Sequence, residues 1–219
     1  MQKRKSGKPA RSAPPSQVRI IGGQWKRTPL PVPDVAGLRP TPDRVRETLF
    51  NWLNHLLHED WEKVRCLDLF AGTGALGFEA ASRGAARVRM VEASAPALRH
   101  LEAMRDKLHA GQVEIARGDA LAAVQALLDG AGKESGRFDL VFLDPPYGQG
   151  WLPKVLPLCA GLLAEGGMVY AEAEHPLDGA PGAMAEETVP PDWLQGWTAI
   201  RSDKAGMVYY HLLIRNQSP

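Results

Sequence analysis

One short apolar run is followed directly by a carboxylate, two prolines and a tyrosine. Residues 138–147 read FDLVFLDPPY, so Asp144, Pro145, Pro146 and Tyr147 follow a run that is typical of a buried parallel strand. Two successive prolines continue neither a strand nor a helix, and they hold the chain extended beyond the carboxyl end of the strand. Because ligands of open α/β sheets bind at that end, the spacing predicts a rigid site with an acid, a backbone carbonyl and an aromatic ring.

These groups suit the exocyclic amine of a nucleobase. Such an amine has two protons to donate and a lone pair that is delocalised into the ring. The Asp144 side chain and the Pro145 carbonyl could hold both protons and favour a more nucleophilic nitrogen, while Tyr147 stacks on a base turned out of its helix. The alternative is a polar turn that only ends a core strand, which is the simpler explanation of an isolated Asp-Pro pair.

A second motif, DLFAGTGALG at residues 68–77, lies between a predicted strand and a predicted helix. Gly72, Gly74 and Gly77 fit the pattern GxGxxG, which allows a tight turn and a close approach of the backbone to a ligand. Glu92 ends the next strand, where a carboxylate can accept hydrogen bonds from both hydroxyls of a ribose. The pattern predicts an adenosine-type cofactor, and it does not separate a nicotinamide dinucleotide from S-adenosylmethionine.

Two further acids bear on that choice. Asp68 precedes the glycine turn, where a carboxylate would repel a pyrophosphate but could serve the ammonium group of S-adenosylmethionine. Asp119 follows the third strand and could accept from an adenine amino group, with Ala120 offering its N–H to a ring nitrogen; a simple helix cap is equally open for Asp119. Asp68, Glu92, Asp119 and Asp144 end four successive strands, so we expect them to converge at one edge of the sheet.

Composition sets broad limits on the class of protein. The 219 residues, 44% of them hydrophobic, suggest one domain of good size with an appendage. We expect no membrane span, since no stretch approaches roughly 18 to 20 apolar residues, and no secretory signal, since no apolar segment follows the basic N-terminus. Cys66 and Cys159 lie in apolar runs and are expected to be buried thiols, which fits a reducing cytoplasm. The scattered histidines predict no metal site.

Charge is distributed unevenly along the chain. Residues 1–46 hold 11 Lys and Arg against two acids, whereas residues 47–219 hold 15 against 23. A basic arm on an acidic body suggests a polyanionic partner such as nucleic acid, although a solvated tail explains residues 1–17 equally well. These 17 residues are rich in Lys, Arg, Pro and Ser, and we expect them to be disordered.

The segment after this tail predicts a hairpin and a helix. A strand and turn at 18–23 and a return strand within 25–32 would carry a basic face. Thr41 is a candidate N-cap, with Pro42 at the first helical position. Arg39, Arg44 and Arg46 cluster around the helix start, where they could bind a phosphate or a cofactor carboxylate, or simply form a solvated charged first turn. The candidates for RNA binding are Arg19, Lys26, Arg27, Arg39, Arg44 and Arg46.

Strands and helices alternate from Val64 onward, which predicts an α/β fold with a doubly wound, mainly parallel sheet. Strands are expected at 64–70, 88–91, 112–116, 138–143 and 167–173, and helices at 75–83, 94–110, 120–128 and 151–163, the last broken near Pro157. An antiparallel pair at 197–204 and 207–215 is expected to close the sheet.

These motifs resemble those of class I S-adenosylmethionine-dependent methyltransferases: DLFAGTGALGFEA at 68–80, VEAS at 91–94, GDA at 118–120 and DPPY at 144–147. Over residues 18–215 the chain is similar to the bacterial family that methylates N2 of a guanine in 16S ribosomal RNA, above all at 19–33, 38–53 and 66–80.

The resemblance implies a Rossmann-like sheet of seven strands with an antiparallel last strand, S-adenosylmethionine as cofactor with S-adenosylhomocysteine as product, and a 30S subunit or assembly intermediate as substrate. It implies contacts to the cofactor from the motif residues, namely Asp68, Phe70, Ala71, Gly72, Gly74, Glu92, Ala93, Asp119 and Ala120. We expect a monomeric enzyme with a basic tail at 1–17, an RNA-binding and cofactor-covering hairpin and helix at 18–60, and a methyltransferase domain at 61–219.

Three other functions remain to be weighed. A DNA adenine-N6 methyltransferase uses a similar DPPY motif, but no long insertion offers a separate target-recognition domain. A nicotinamide-dependent oxidoreductase would explain the glycines and Glu92 but would leave Asp68 and the DPPY motif without a role. An RNA-binding protein that has lost catalysis would not need the full set of acids.

Overall fold

The computed structural model describes residues 18–33, 41–131, 137–177 and 191–216. Nine strands and five α-helices lie within these ranges. The strands are β1 Val18–Arg19, β2 Pro29–Leu30, β3 Arg65–Asp68, β4 Arg87–Glu92, β5 Val113–Arg117, β6 Phe138–Leu143, β7 Leu163–Ala173, β8 Trp197–Ala205 and β9 Val208–Arg215. The helices are α1 Asp43–Leu56, α2 Ala75–Ser82, α3 Ala95–Leu108, α4 Ala120–Ala126 and α5 Leu152–Cys159.

Seven of the strands form one sheet in the order β5-β4-β3-β6-β7-β9-β8. Neighbouring strands from β5 to β7 pair in parallel, whereas β9 runs antiparallel to both β7 and β8. The order reverses between β3 and β6, which is the topological switch point where open α/β sheets bind ligands. The expected doubly wound sheet with a reversed last strand is therefore confirmed.

The sheet is buried on both faces, which explains the continuous apolar run of β6. Alternate side chains of β6 enter opposite cores because successive strand residues point to opposite faces. Phe142 packs with Tyr170 and the α1 residue Phe50 on one face, and Val141 packs with Val155 of α5 on the other. Burial of β6 on both faces fixes its carboxyl end, where the DPPY residues begin.

The segment before β3 belongs to the first of these cores. Ile20 and Leu30 are fully buried there together with the apolar face of α1. The turn between β1 and β2 is tied to α2, since the N–H groups of Ile21 and Gly22 donate to buried Glu79 at 2.6 and 2.8 Å. Packing therefore joins the described parts of 18–60 to the sheet in one body.

Three local expectations differ from the structure. The return strand within 25–32 shrinks to Pro29–Leu30, because residues 24–27 form a turn whose backbone bonds to Ser82. Helix α5 ends at Cys159, two residues after Pro157, which lacks the N–H that a helix interior needs. Strand β7 begins at Leu163, earlier than the expected 167, and its pairing with β6 shifts register between Phe138 and Leu140.

Within the described ranges, no helix combines the length and the apolar composition that a membrane crossing requires.

Candidate active site

A cavity of about 300 Å³ opens at the carboxyl ends of β3, β4, β5 and β6. Its size lies at the lower end of small-molecule sites. The structure brings nearly all the motif residues together in its wall: Asp68, Phe70, Ala71, Gly72, Glu92, Ala93, Asp119, Ala120, Asp144, Pro145, Pro146 and Tyr147. Thr41 and Trp151 also line the cavity, although the sequence analysis assigned neither of them to the site.

Gly74 shapes the cavity without lining it. The residue precedes α2 with φ of 78°, and an added Cβ would lie 2.5 Å from Phe78 and 2.7 Å from Leu101. At Gly77 an added Cβ would meet the flexible end of the Met90 side chain, which would have to shift. These two glycines therefore permit the turn and the close contact of α2 with its neighbours, while Gly72 reaches the cavity itself.

Glu92 holds the glycine turn against the end of β4. Its two carboxylate oxygens accept from the N–H of Gly72 at 2.8 Å and the N–H of Ser94 at 2.6 Å. Each carboxylate oxygen has a second lone pair, so a bond to a ribose hydroxyl remains chemically open. The carboxylate thus organises the backbone of the cavity as well as facing into it.

Asp119 caps a helix and also lies in the cavity wall, so the structure bears out the cap and leaves the predicted adenine contact a prediction. Its Oδ1 accepts from the N–H groups of Leu121 and Ala122 at 2.9 and 3.1 Å, which caps the start of α4. The residue is exposed and also lines the cavity beside Ala120. A cap bonded through one oxygen can present the other to a ligand.

Asp68 is buried at the end of β3, with only 1% of its surface exposed. The N–H of Phe70 donates to it at a long 3.4 Å, and no cation among the described residues contributes to its electrostatic environment. Burial therefore raises the pKa of Asp68 to about 7, although backbone bonds from Phe70 and Gly77 oppose the rise. A buried acid of this kind suits a cationic ligand group.

Asp144 lies deep in the cavity and accepts a hydrogen bond from the Thr41 hydroxyl at 2.8 Å. Thr41 was expected to cap α1, which is wrong: Pro42 takes the cap position, where no side chain bonds to the helix. The buried Thr41 side chain instead ties the start of α1 to the end of β6. Burial and the charge of Glu172 raise the pKa of Asp144 well above its usual range, while the Thr41 bond lowers it.

Glu172 is a functional candidate that the sequence analysis missed. It lies on β7, 3% exposed, and accepts from the Tyr170 hydroxyl at 2.8 Å and the Tyr147 hydroxyl at 3.4 Å. Burial raises the pKa of its carboxyl, although hydrogen bonds from Tyr170, Thr41 and Asp144 oppose the rise. An acid inside the apolar run MVYAEA was the available signal, because β7 ends beside β6.

Tyr147 stands at the rim with 42% of its surface exposed. Its hydroxyl contacts Glu172, and partial burial with the charge of Glu172 raises its pKa above the usual range. The following residue, Gly148, donates its N–H to Glu174. The ring is thus anchored by its hydroxyl and has a face available for stacking.

Arg46 does not belong to an RNA-binding surface, contrary to the expectation. Its side chain is fully buried, and it donates to Asp43 at 2.6 Å and to the backbone carbonyls of Thr41 and Arg19 at 3.2 and 2.9 Å, which replace its contacts with water. It also lies 4.0 Å from buried Glu79. Burial lowers the pKa of the guanidinium, which these acids counteract. Arg46 is a structural cation that joins the hairpin, α1 and α2.

The other predicted RNA-binding residues divide into two groups. Arg19 and Arg44 are exposed at or near the start of α1, with Arg19 paired to Asp43 at 3.0 Å. Lys26 and Arg27 are exposed in the turn that bonds to the C-terminal end of α2, about 12 Å along that helix from its cavity end. Arg39 and residues 1–17 lie outside the described residues.

Both cysteines are buried with free thiols, as predicted. Within the part of the chain that the structure describes, no group of three or more His, Cys, Asp or Glu side chains is placed to hold a metal ion.

The reversed strand order, the glycine turn and the acids at successive strand ends are those of a Rossmann-like fold, and they are typical of its methyltransferase class. Comparison with known proteins then identifies the family: residues 18–214 match the family model described as Conserved hypothetical protein 95, and the chain belongs to this family. It is 39% identical to ribosomal RNA small subunit methyltransferase D of Escherichia coli K12, over 91% of this chain and 90% of that protein.

Other relatives agree with this assignment. The Haemophilus influenzae protein of the same name is 34% identical over 90% of this chain and 93% of its own length. The solved structure of yhhF from Escherichia coli superposes with a TM-score of 0.72 at 38% identity, covering 92% of this chain and 99% of that one. A methyltransferase complexed with SAH, SMU.776, shares the fold at a TM-score of 0.54 and 13% identity, over 74% of this chain and 48% of that one.

Proposed function

We propose that this protein transfers a methyl group from S-adenosylmethionine to the exocyclic N2 of a guanine in 16S ribosomal RNA. The observation that carries the proposal is the position of Asp144, deep in a cavity that also presents Asp68, Glu92 and Asp119. Relatives at 39% and 34% identity that carry the name ribosomal RNA small subunit methyltransferase D support an RNA substrate from the small subunit.

The donor set of the cavity fits S-adenosylmethionine. Asp68 is a buried acid without a cation in the described structure, which suits the ammonium of the methionine part. Glu92 would bind the ribose, and Asp119 with the N–H of Ala120 would bind the adenine. Phe70, Ala71 and Gly72 would line the path between them, and Ala93 would lie beside the ribose. When bound, the cofactor supplies an electrophilic methyl group on a sulfonium.

The residues of the chain would act mainly by alignment and electrostatics. Asp144 and the Pro145 carbonyl would accept the two protons of the target amine and direct its nitrogen towards the cofactor. The guanine nitrogen becomes cationic as the new bond forms, and a carboxylate at that point stabilises the developing charge. Tyr147 would stack on the flipped base, and Pro146 keeps the chain rigid between these groups.

RNA would approach over the start of α1. Exposed Arg44 and Arg19 lie near Thr41, whose hydroxyl contacts Asp144, so phosphates bound there would be close to the reacting base. Lys26 and Arg27 would contact a more distant part of the same RNA. A 30S subunit or assembly intermediate offers such an extended surface, and we expect the enzyme to act on it as a monomer.

The direct test uses labelled S-adenosylmethionine with unmodified 30S particles and with protein-free 16S RNA. Digestion to nucleosides and mass analysis should yield N2-methylguanosine, and the better substrate will show whether the RNA must be folded by proteins. Methyladenosine would contradict the proposed acceptor. No label in either substrate, with the cofactor shown to bind, would contradict the proposed RNA.

Two variants test the role of Asp144. Asp144→Ala should lower transfer by about 100-fold or more, while calorimetry shows S-adenosylhomocysteine binding as in the wild type. Asp144→Asn keeps an acceptor oxygen but removes the charge, so it separates orientation of the amine from charge stabilisation. Wild-type turnover in Asp144→Ala would refute the assignment.

A further inference from the structure

The methyl-transfer scheme makes no use of Glu172, although its carboxyl is buried beside the cavity, 3% exposed. An ionised carboxylate in a protein interior needs a cation or several donors to replace its hydration. Among the described residues, the groups that act on Glu172 are hydroxyls and another acid, Asp144, with no cation among its principal partners. Buried Glu172 therefore lies beside partly buried Asp144 at the carboxyl ends of β7 and β6.

Two neighbouring carboxyls lower their electrostatic energy by sharing one proton. The shared state carries one negative charge instead of two, and the protonated acid donates a hydrogen bond to the ionised one. The contacts fit that state, because Tyr170 and Tyr147 both donate to Glu172 while Thr41 donates to Asp144. Both side chains can therefore stay in place, because sharing a proton removes the repulsion between two negative charges.

We propose that Glu172 is a positioning residue for methyl transfer, which shares one proton with Asp144 and anchors the hydroxyl of Tyr147. The inference rests on the proposed function, since it concerns the same reacting amine. Glu172 accepts from the Tyr147 hydroxyl and interacts with Asp144, so one side chain influences both the charge that faces the amine and the position of the stacking ring.

The Asp144–Glu172 pair can also accept the proton that the guanine nitrogen loses during methyl transfer. The nitrogen–methyl bond forms as the sulfur–methyl bond breaks, and the nitrogen then loses one proton. That proton forms an O–H bond on the Asp144–Glu172 pair, which changes from singly to doubly protonated. The pair returns to its first state by losing a proton to water after the product leaves.

The pH dependence follows from the groups around the pair. Asp68 of β3 adds a like charge to Asp144, while Thr41 at the start of α1 donates to it. Tyr147 and Tyr170 donate to Glu172, and Tyr210 of β9 adjoins Tyr170. Removal of the Glu172 charge leaves Asp144 with less opposition to ionisation, so Asp144 should become charged at lower pH.

The test compares Glu172→Gln with Glu174→Gln over pH 5.5 to 9, measuring kcat and kcat/KM on the RNA substrate. Glu174 is a suitable control because it is an exposed acid near Tyr147 that accepts from the Gly148 N–H and lies outside the set of groups acting on Asp144. In Glu172→Gln the loss of activity at low pH should move down by about one pH unit or more. In Glu174→Gln it should stay with the wild type.

The low-pH side of the pH–rate profile is the acid limb. An acid limb in Glu172→Gln at the same pH as in the wild type would overturn the proposal. If kcat also fell while the limb did not move, the loss would reflect damaged packing. Calorimetry with S-adenosylhomocysteine will show that the variant keeps its fold. Carboxyl-carbon NMR of wild type and Glu172→Gln needs no RNA: Asp144 should titrate at lower pH in the variant. If the wild type methylates no small-subunit RNA, the proposed function fails, while this titration still decides whether the pair shares a proton.

Discussion

The buried charge of Asp68 should lower the free energy of unfolding of the ligand-free protein, and binding of a cationic group beside it should restore that stability. In the described structure this acid is 1% exposed and has no cation beside it, and burial raises its pKa to about 7 from an ordinary 3.8. Substitution by Asn keeps the size and an acceptor for the Phe70 N–H but removes the charge. We therefore expect Asp68→Asn to stabilise the ligand-free protein and to weaken cofactor binding.

The size and sign follow from the two pKa values. Below pH 3.8 Asp68 is protonated in both the folded and the unfolded protein, so burying it costs no ionisation free energy and the protein has the full stability that this residue allows. Between pH 3.8 and 7 the unfolded chain ionises first, and stability falls as pH rises through the folded value. The full loss is about 4 kcal/mol, of which about 2 to 3 kcal/mol falls between pH 5 and pH 8. Asp68→Asn should lack this part of the decline.

Urea unfolding at pH 5 and pH 8 measures the difference, with the exposed residue Asp129 as the matched control, changed to Asn. The Asp144–Glu172 pair contributes its own decline in every variant, so the comparison must be between variants and not between pH values alone. The same decline in Asp68→Asn as in the wild type would refute the reasoning.

Ligand binding provides the second half of the test. S-adenosylhomocysteine carries the ammonium group, whereas methylthioadenosine lacks the amino-acid part. Asp68→Asn should lose affinity for the first and keep affinity for the second. An equal loss for both ligands would mean that Asp68 only supports the shape of the cavity.

Four more predictions concern three sets of buried groups and one exposed arginine. Thr41→Val removes the donor to Asp144, so kcat should fall by about 10-fold or more and the acid limb should move to higher pH, opposite to Glu172→Gln; an unmoved limb would contradict this. Arg46→Met should destabilise the fold by about 3 to 5 kcal/mol in denaturant unfolding. Arg44→Gln should instead leave the free energy of unfolding unchanged and lower the salt dependence of RNA binding by about one phosphate contact. A loss of stability in Arg44→Gln, or a stable Arg46→Met with weaker RNA binding, would contradict the structural role of Arg46 and the RNA-binding role of Arg44. Burial raises the pKa of Cys66 beyond its usual range and that of Cys159 to about 12, so native protein should resist iodoacetamide until it unfolds, as mass spectrometry can show.

Periodicity and strand-end chemistry were sufficient to predict the sheet and most of the cavity wall. The apolar run of β6 has matching bounds in the sequence and in the structure, because a strand buried on both faces leaves a continuous signal. The acids after β3, β4, β5 and β6 converge because parallel strands end at one edge, which is a property of topology and needs no knowledge of side-chain contacts.

Contacts between distant segments could not be predicted in the same way. Thr41 precedes a proline and an acid, a local pattern that is typical of a helix cap, yet its hydroxyl bonds to Asp144 across 103 positions of sequence. Arg46 belongs to an exposed basic cluster by spacing, but the hairpin and α2 cover it in three dimensions. In both cases tertiary packing overrides the local preference.

These long-range contacts also suggest why the segment before the sheet is needed for catalysis as well as for binding. Arg46 holds the backbone carbonyls of Arg19 and Thr41, and Thr41 in turn donates to Asp144. Binding of a phosphate by Arg44 at the start of α1 would therefore shift Thr41, whose hydroxyl bonds to the proposed catalytic residue Asp144. We therefore expect Thr41→Val to lower kcat on a full RNA substrate without weakening RNA binding, and Arg44→Gln to weaken binding and also to lower kcat at saturating RNA. An unchanged kcat in Arg44→Gln would contradict the coupling and limit Arg44 to binding.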